Sequence, residues 1–195
     1  YREDSRKPQI EPVATIEADL SRRDFTINAM ALRLPERVLV DPHGGIGDLA
    51  ARVLRTPLKP ELSFSDDPLR MLRAARFAAS LECTPVPELV AAMTEQRARL
   101  KIVSAERIRD EISKLLAADR PSIGLDLATE TGLSELFLPE LPALKLQQDP
   151  IHRHKDVYRH TLAVVDKLAA GDPEHEPDVL LRMAGLLHDI GKPAT

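Results

Sequence analysis

The sequence predicts an α+β chain in which a short segment of mixed strand and helix is followed by helix after helix. Three observations predict it. Residues 1 to about 56 hold short valine-bearing runs closed by Pro, Gly and Asp turn signals. From about residue 66 onward, apolar residues recur at helical spacing. Prolines at 139 and 142, then the polar stretch from Gln147 to Asp156, interrupt that spacing and mark the expected domain boundary.

In chain order, residues 12–15 and 37–40 are expected as short strands. Between them, Ile27, Met30, Ala31 and Leu34 stand at i, i+3, i+4 and i+7, which predicts a helix with Asp24 as its N-cap. Asp41-Pro42-His43-Gly44-Gly45 predicts a turn, and residues 53–55 a further strand. Asp67-Pro68 pairs a capping carboxylate with a proline at the first helical position, so a helix is expected from there to about Leu81. Further helices are expected at about 86–100, 104–118, 121–132, 156–170 and 177–189. In the second of these, Ile108, Ile112 and Leu115 form the buried stripe.

Composition narrows the function classes. The 195 residues are 43% hydrophobic and 30% charged, ordinary for a globular domain. No apolar run approaches the ~18 residues of a membrane span, and no basic-then-apolar leader stands at the start. The single cysteine, Cys83, has no partner in the chain, so a reducing cytoplasm is the expected compartment. A net charge of -4 argues against a wholly basic nucleic-acid binder. Aromatics at 3% with no tryptophan argue against a base-stacking platform. The chain opens at Tyr1 without a methionine and closes at Thr195 just after Gly-Lys-Pro, and is expected to be a piece of a longer protein.

The helix over 67–81 is the most informative segment. It is apolar almost all round, and its polar residues Asp67, Arg70, Arg73, Arg76 and Ser80 are spaced three, three, three and four, which places them on one side. Three unpaired arginines are costly to bury, so the stripe should line a polar cleft or meet an anion. Cytosine and adenine both present an exocyclic amine beside a ring-nitrogen acceptor, whereas guanine and uracil present the opposite order. A carboxylate accepts from the amine and a guanidinium donates to the ring nitrogen. Asp67 and Arg70 on one face suit that edge, with Arg73 and Arg76 reaching phosphates. The same spacing equally suits a capping aspartate with an intrahelical salt bridge.

Arg22 to Ala31, reading RRDFTINAMA, resembles the RRDFTINA motif of class II tRNA nucleotidyltransferases and bacterial poly(A) polymerases. Asp41 to Leu49, DPHGGIGDL, is similar to that family's next motif. Asp66-Asp67-Pro68-Leu69-Arg70 resembles its EDxxR element, with Asp66 in place of the usual glutamate, and Glu106-Arg107-Ile108 its later ERI element. The resemblance implies that residues 1–56 complete a nucleotidyltransferase head with a small mixed sheet. It further implies a helical neck at 57–138 that recognises the base, and from 139 the first helices of an HD bundle. The implied activity is addition of CCA to tRNA 3′ ends from CTP and ATP, with poly(A) polymerisation as the alternative. The implied nucleotide contacts are Arg23 (triphosphate), Asp24 (ribose), Asp67 and Arg70 (base), and Arg73 and Arg76. Asn28 would support that loop, and Glu106 and Arg107 would brace the template helix. Asp24 as a mere helix cap, Asn28 as a partner for buried backbone, and glycines 44, 45 and 47 as turn residues are the plainer roles. The carboxylates that hold Mg²⁺ in the family lie upstream of RRDFTINA in a DxD motif, so catalytic residues are expected outside this chain. Glu17 and Asp19 have the alternation but not the place.

His160, flanked by Val157 and Val164, and His188, seven residues after Leu181, both face inward on predicted helices, and Asp189 adjoins the second. Core histidines are more often only hydrogen-bonded. The run LLHDIGKP, however, resembles the HD phosphohydrolase superfamily, which implies a divalent-metal site of His160, His188 and Asp189 with a last aspartate beyond Thr195. His152 and His154 fall in a polar loop, where surface roles are expected. Two other classes compete with the nucleotidyltransferase reading: an HD phosphohydrolase with a regulatory upstream region, and a non-catalytic tRNA-binding module.

Overall fold

The computed structural model describes residues 15–146, 156–171 and 178–192. Of the expected features, residues 12–14 of the first strand, the segment 147–155 at the expected boundary, and His152 and His154 lie outside the described residues. Helix α1 (Ile16–Ser21) opens the described chain, its cap Thr15 accepting from Ala18 N–H at 3.2 Å. The next segment makes one 3₁₀ turn at Thr26–Asn28 and runs into β1 (Ala31–Arg33), which pairs antiparallel with β2 (Val38–Val40), Ala31 facing Val40.

The helix expected across residues 27–34 is therefore absent, and Asp24 caps nothing. Its backbone partners are long-range instead. Thr26 N–H donates to the Arg55 carbonyl at 2.9 Å, and its hydroxyl to Asp48 at 2.7 Å. The four residues of the apparent stripe share no face, since Ile27 is 7% exposed and Leu34 70%.

After the turn come α2 (Gly45–Ala50) and β3 (Val53–Leu54), then α3 (Pro60–Asp66) and α4 (Leu69–Leu81). Strand β4 (Thr84–Pro85) returns parallel to β3, Val53 facing Thr84. The expected helices follow as α5 (Pro87–Gln96), extended by a 3₁₀ segment Arg97–Ile102, then α6 (Ala105–Leu116) and α7 (Pro121–Glu130). Helices α2 and α3, and the short α8 (Glu140–Ala143), were not anticipated from periodicity.

Helix α4 is the axis of the molecule. Leu69, Met71, Leu72, Ala74, Ala75, Ala78 and Ala79 are buried, and the alanines let α6 and α7 pack closely against it. Each fully buried Leu or Met there contributes roughly 1.5–3 kcal/mol. The apolar core is continuous from Phe25 to Leu186, so α9 (Val157–Ala169) and α10 (Val179–Leu187) pack onto the same body. Two polar ties fix them. Asp166 of α9 accepts from Ser122 N–H (3.0 Å) and hydroxyl (2.6 Å) at the start of α7. Buried Arg182 of α10 donates to the Leu116 and Ala118 carbonyls (2.5 and 2.7 Å) and to Ala169 (3.3 Å), placing its charge at two helix C-termini. Among the described residues, no helix is long and apolar enough to cross a membrane.

Candidate functional site

The corner between α3 and α4 puts the two predicted base-reading side chains on one wall. Asp67 is extended there, with φ -144° and ψ 101°. Its Oδ1 accepts from Leu69 N–H at 3.2 Å, and its Oδ2 from Arg107 Nη2 of α6 at 2.9 Å. Arg70, one turn along, donates from Nη1 to the Ser63 hydroxyl at 2.9 Å and from Nη2 to the Arg22 carbonyl. The intrahelical Asp67–Arg70 salt bridge that spacing allowed is not formed, because each side chain is held by a different element.

The opposite wall is the segment after α1. The Asp24 carboxylate accepts from Phe25 N–H (2.9 Å), Asn28 Nδ2 (3.2 Å) and Arg73 Nε (2.9 Å), and Arg73 Nη2 reaches the same oxygen. Burial alone would push the Asp24 carboxyl up. The hydrogen bond and charge of Arg73, then Asn28 and Phe25, outweigh it and hold the group below its ordinary value. Arg23 donates from Nη1 to the Asn28 carbonyl at 3.2 Å and from Nη2 to Asp19 at 3.4 Å. Asp19 also meets Arg22 at 3.5 Å, so it is spent on arginines.

The DPHGG turn is pressed against this wall. Asp41 accepts from Gly45 N–H (2.7 Å) and Ile46 N–H (3.0 Å), and Gly44 takes φ +70°. A Cβ on Gly45 would lie 2.1 Å from the Thr26 carbonyl oxygen. Gly47, in contrast, has open space around it. The turn role expected of three glycines thus belongs to Gly44, while Gly45 is required by close approach.

The arginine stripe is not unpaired. Glu111 of α6, only 3% exposed, lies 2.9 Å from Arg76 Nε, 3.5 Å from Lys114 Nζ and 3.7 Å from Arg73 Nη1. Arg76 also stacks over the Phe77 ring, 4.2 Å from its centroid. Burial pulls the Arg76 guanidinium below its usual range, with Glu111 opposing. Arg76 is not among the side chains that line the cleft, and its partner is a buried carboxylate behind the helix.

What remains is an open cleft of about 650 Å³. Arg22, Arg23, Asp24 and Asn28 line it from one side. Asp67, Leu69, Arg70, Arg73, Phe77 and Arg107 line it from the other. Of the residues singled out in the sequence, Glu106, in the first turn of α6, is not among the lining side chains. The cleft sets five guanidiniums against two carboxylates, which suits a polyanion. Arg22, Phe77 and Glu111 were missed. The signal for Glu111 was present: it stands three residues after Ile108 and four before Leu115, on the buried stripe.

A second cluster lies at the other end. His160 of α9, and His188 and Asp189 after α10, have potential ligand atoms all within 4.8 Å of one another. The His188 Nδ1 lies 2.7 Å from the Gly185 carbonyl, which can only accept, so Nδ1 donates there. That Nε2 is 3.3 Å from Asp189 Oδ2, which also meets Lys192 Nζ at 2.9 Å. The donor set fits a divalent ion.

Residues 1–55 match the poly A polymerase head domain family, and residues 84–144 the probable RNA- and SrmB-binding site of polymerase A. The A-adding tRNA nucleotidyltransferase of Deinococcus radiodurans is 43% identical over 186 residues, which cover 92% of this chain and 42% of that protein. The multifunctional CCA protein of Xylella fastidiosa strain M12 is 41% identical over 195 residues, 95% of this chain and 45% of its own length. The Bacillus stearothermophilus CCA-adding enzyme in complex with CTP superposes with a TM-score of 0.60 at 28% identity, over 94% of this chain and 56% of that one. The chain thus spans somewhat under half the length of the curated relatives it matches. With the head motifs, the helical neck and these likenesses together, the chain belongs to the family of tRNA nucleotidyltransferases and poly(A) polymerases.

Proposed function

We propose that the cleft selects the nucleotide for an enzyme that adds C, C and A to tRNA 3′ ends from CTP and ATP, without a nucleic-acid template. The observation that carries this reading is the pairing of Asp67 and Arg70 on one wall, each anchored yet with capacity to spare. A carboxylate has about four acceptor sites, and two of Asp67's are used. Arg70 keeps at least two of its five N–H groups. Amine and ring nitrogen of cytosine or adenine would meet them, and guanine or uracil would put donor against donor. Arg23 and Arg73 supply charge for the triphosphate. The Asp24 carboxylate already takes four N–H donors, so a ribose hydroxyl would reach it by sharing one of those occupied oxygens. Asn28 holds Asp24, and Arg107 holds Asp67. Arg76 acts through Glu111. The division into head (1–56), neck (57–138) and HD bundle (from 139) is part of the same reading, as is a cytoplasmic location.

Nucleotidyl transfer in this family generally uses a divalent metal, and Mg²⁺ is the ion we assign to it. Asp24 and Asp67 do not fit as its ligands, since each is engaged by an arginine. No metal step is therefore routed through them. The histidine cluster we read as an HD-type divalent-metal site, where His160, His188 and Asp189 would hold an ion able to activate water on a phosphoester.

A second reading is A addition alone, favoured by the name of the Deinococcus relative. Poly(A) polymerisation is the third, since Asp67 and Arg70 would read adenine in every case. The test uses the full-length protein with tRNA ending at the discriminator base or at CC, and one nucleoside triphosphate at a time. Ordered C, C, A addition supports the first reading. Addition of one A to CC-ended tRNA only selects the second, and repeated A addition selects the third. Hydrolysis of phosphoesters without any addition would overturn all three.

A further inference from the structure

An arginine that reads a base edge must offer its N–H groups at a fixed place and angle, yet its long side chain has many rotamers. Something has to hold Arg70, and Asp67 does not. Two acceptors from outside its own helix do so. One is the Arg22 carbonyl, at the end of α1. The other is Ser63 of α3, whose hydroxyl lies 2.9 Å from Arg70 Nη1 and whose carbonyl lies 3.4 Å from the same nitrogen. Ser63 is 4% exposed and lies on the last turn of α3, and the bend at Asp67 folds α3 back so that residue 63 meets residue 70. A buried hydroxyl with no capping role is costly unless it is bonded, and the bond it makes is to this guanidinium.

Resting on the reading of Arg70 as the base-selecting cation, we propose that Ser63 is a specificity-determining positioning residue. Its hydroxyl sets the plane in which Arg70 presents its remaining N–H groups to the base. Alanine at 63 leaves Nη1 only the distant carbonyl, and the guanidinium can then pivot about its Arg22 contact. A pivoted fork meets the ring nitrogen of cytosine or adenine less well. It also turns away from the donors of guanine and uracil, so their rejection weakens. The loss falls on discrimination more than on turnover, because Ser63 touches neither phosphate nor ribose contacts.

The test measures kcat and KM for all four nucleoside triphosphates with the full-length enzyme and its Ser63→Ala, Arg70→Ala and doubly substituted variants. Alanine is the best helix former, so α3 is retained, and an unchanged melting temperature verifies it. We expect Ser63→Ala to lower the preference for CTP and ATP over UTP and GTP by about tenfold, the order of one charge-assisted hydrogen bond. We expect KM for CTP and ATP to move more than kcat, and the double variant to be no less selective than Arg70→Ala alone. Full selectivity in Ser63→Ala, with selectivity lost in Arg70→Ala, overturns the role of Ser63 and leaves the base reading intact. An equal loss for all four nucleotides, or a further loss in the double variant, shows a merely structural serine and also overturns it. Selectivity retained in Arg70→Ala overturns the base reading, and the role of Ser63 falls with it.

Discussion

Arg73 Nε lies 2.9 Å from the Asp24 carboxylate, joining α4 to the RRD segment across 49 residues of sequence. Asp24 is 8% exposed, so the pair is the means by which a buried carboxylate stays charged. Its folded pKa is depressed, so the stability it contributes is present above the ordinary carboxylate value of 3.8 and is lost as pH falls through the lower folded value. In Arg73→Ala the largest stabilising partner is gone, and the carboxyl titrates above its value in the parent. The stability that Arg73 lends to Asp24 is itself lost in acid, so the deficit of the variant shrinks as pH falls toward 4. Calorimetric melting between pH 3 and 7 should show the variant destabilised by about 2–4 kcal/mol near neutrality and recovering part of that deficit in acid. A difference from the parent that is constant with pH would exclude the pairing.

Glu111 is buried behind the same helix with Arg76, Arg73 and Lys114 around it. Removing one partner of such a cluster leaves an uncompensated charge, whereas removing both leaves a hydrophobic contact. Glu111→Ala should cost about 3 kcal/mol in denaturant unfolding. Arg76→Met with Glu111→Leu should recover most of it. Because Arg76 is engaged by Glu111 and is not among the cleft-lining side chains, Arg76→Met should change KM for CTP and ATP by no more than about twofold, the size of a remote substitution. A tenfold rise in KM would restore Arg76 as a nucleotide contact.

How much of this was legible depends on whether local pattern and long-range bonding agree. Along α4, α6 and α7 they do. Apolar spacing there matches the buried faces, so the helices and the Asp67, Arg70 and Arg73 edge could be placed from sequence. Around residue 27 they disagree. Ile27, Met30, Ala31 and Leu34 copy a helical stripe, but Thr26 is bonded to Asp48 and Arg55, more than twenty residues away, and the chain follows those bonds. Helix α2 escaped notice because Gly45 and Gly47 are poor helix formers, and α3 because seven residues carry little periodicity. The partner of Arg76 was legible only in part: Glu111 is a charged residue on an apolar stripe, the position where a buried counter-ion has to stand.

The two glycines of α2 separate packing from propensity. A Cβ at Gly45 would sit 2.1 Å from the Thr26 carbonyl, which is backbone and cannot turn aside. Gly45→Ala should therefore destabilise by about 2–3 kcal/mol, the order of an overpacked core. Gly47 is helical with nothing within 4 Å, so Gly47→Ala should stabilise by about 0.5–1 kcal/mol through helix propensity. Melting of the two variants side by side checks both signs. Equal effects would mean that α2 does not press on the 3₁₀ turn at Thr26–Asn28.

The histidine cluster makes a prediction of its own kind, because a competing cation can be removed from it. Lys192 Nζ lies 2.9 Å from Asp189 Oδ2, the same oxygen that lies 3.3 Å from His188 Nε2. A divalent ion shared by His160, His188 and Asp189 has to displace that ammonium and draw donors now spread over 4.8 Å toward bonds of about 2.0–2.2 Å. Titration of the full-length protein with Co²⁺ should therefore show a site that His188→Ala weakens by at least about tenfold. Lys192→Met should strengthen the same site, since it removes the competing charge and leaves the three ligands in place. Affinity unchanged by His188→Ala would mean that the cluster is only a pair of histidines in ring contact, His188 being exposed rather than inward-facing as its spacing suggested. Affinity lowered by Lys192→Met would mean that the lysine holds Asp189 in position for the ion and does not compete with it.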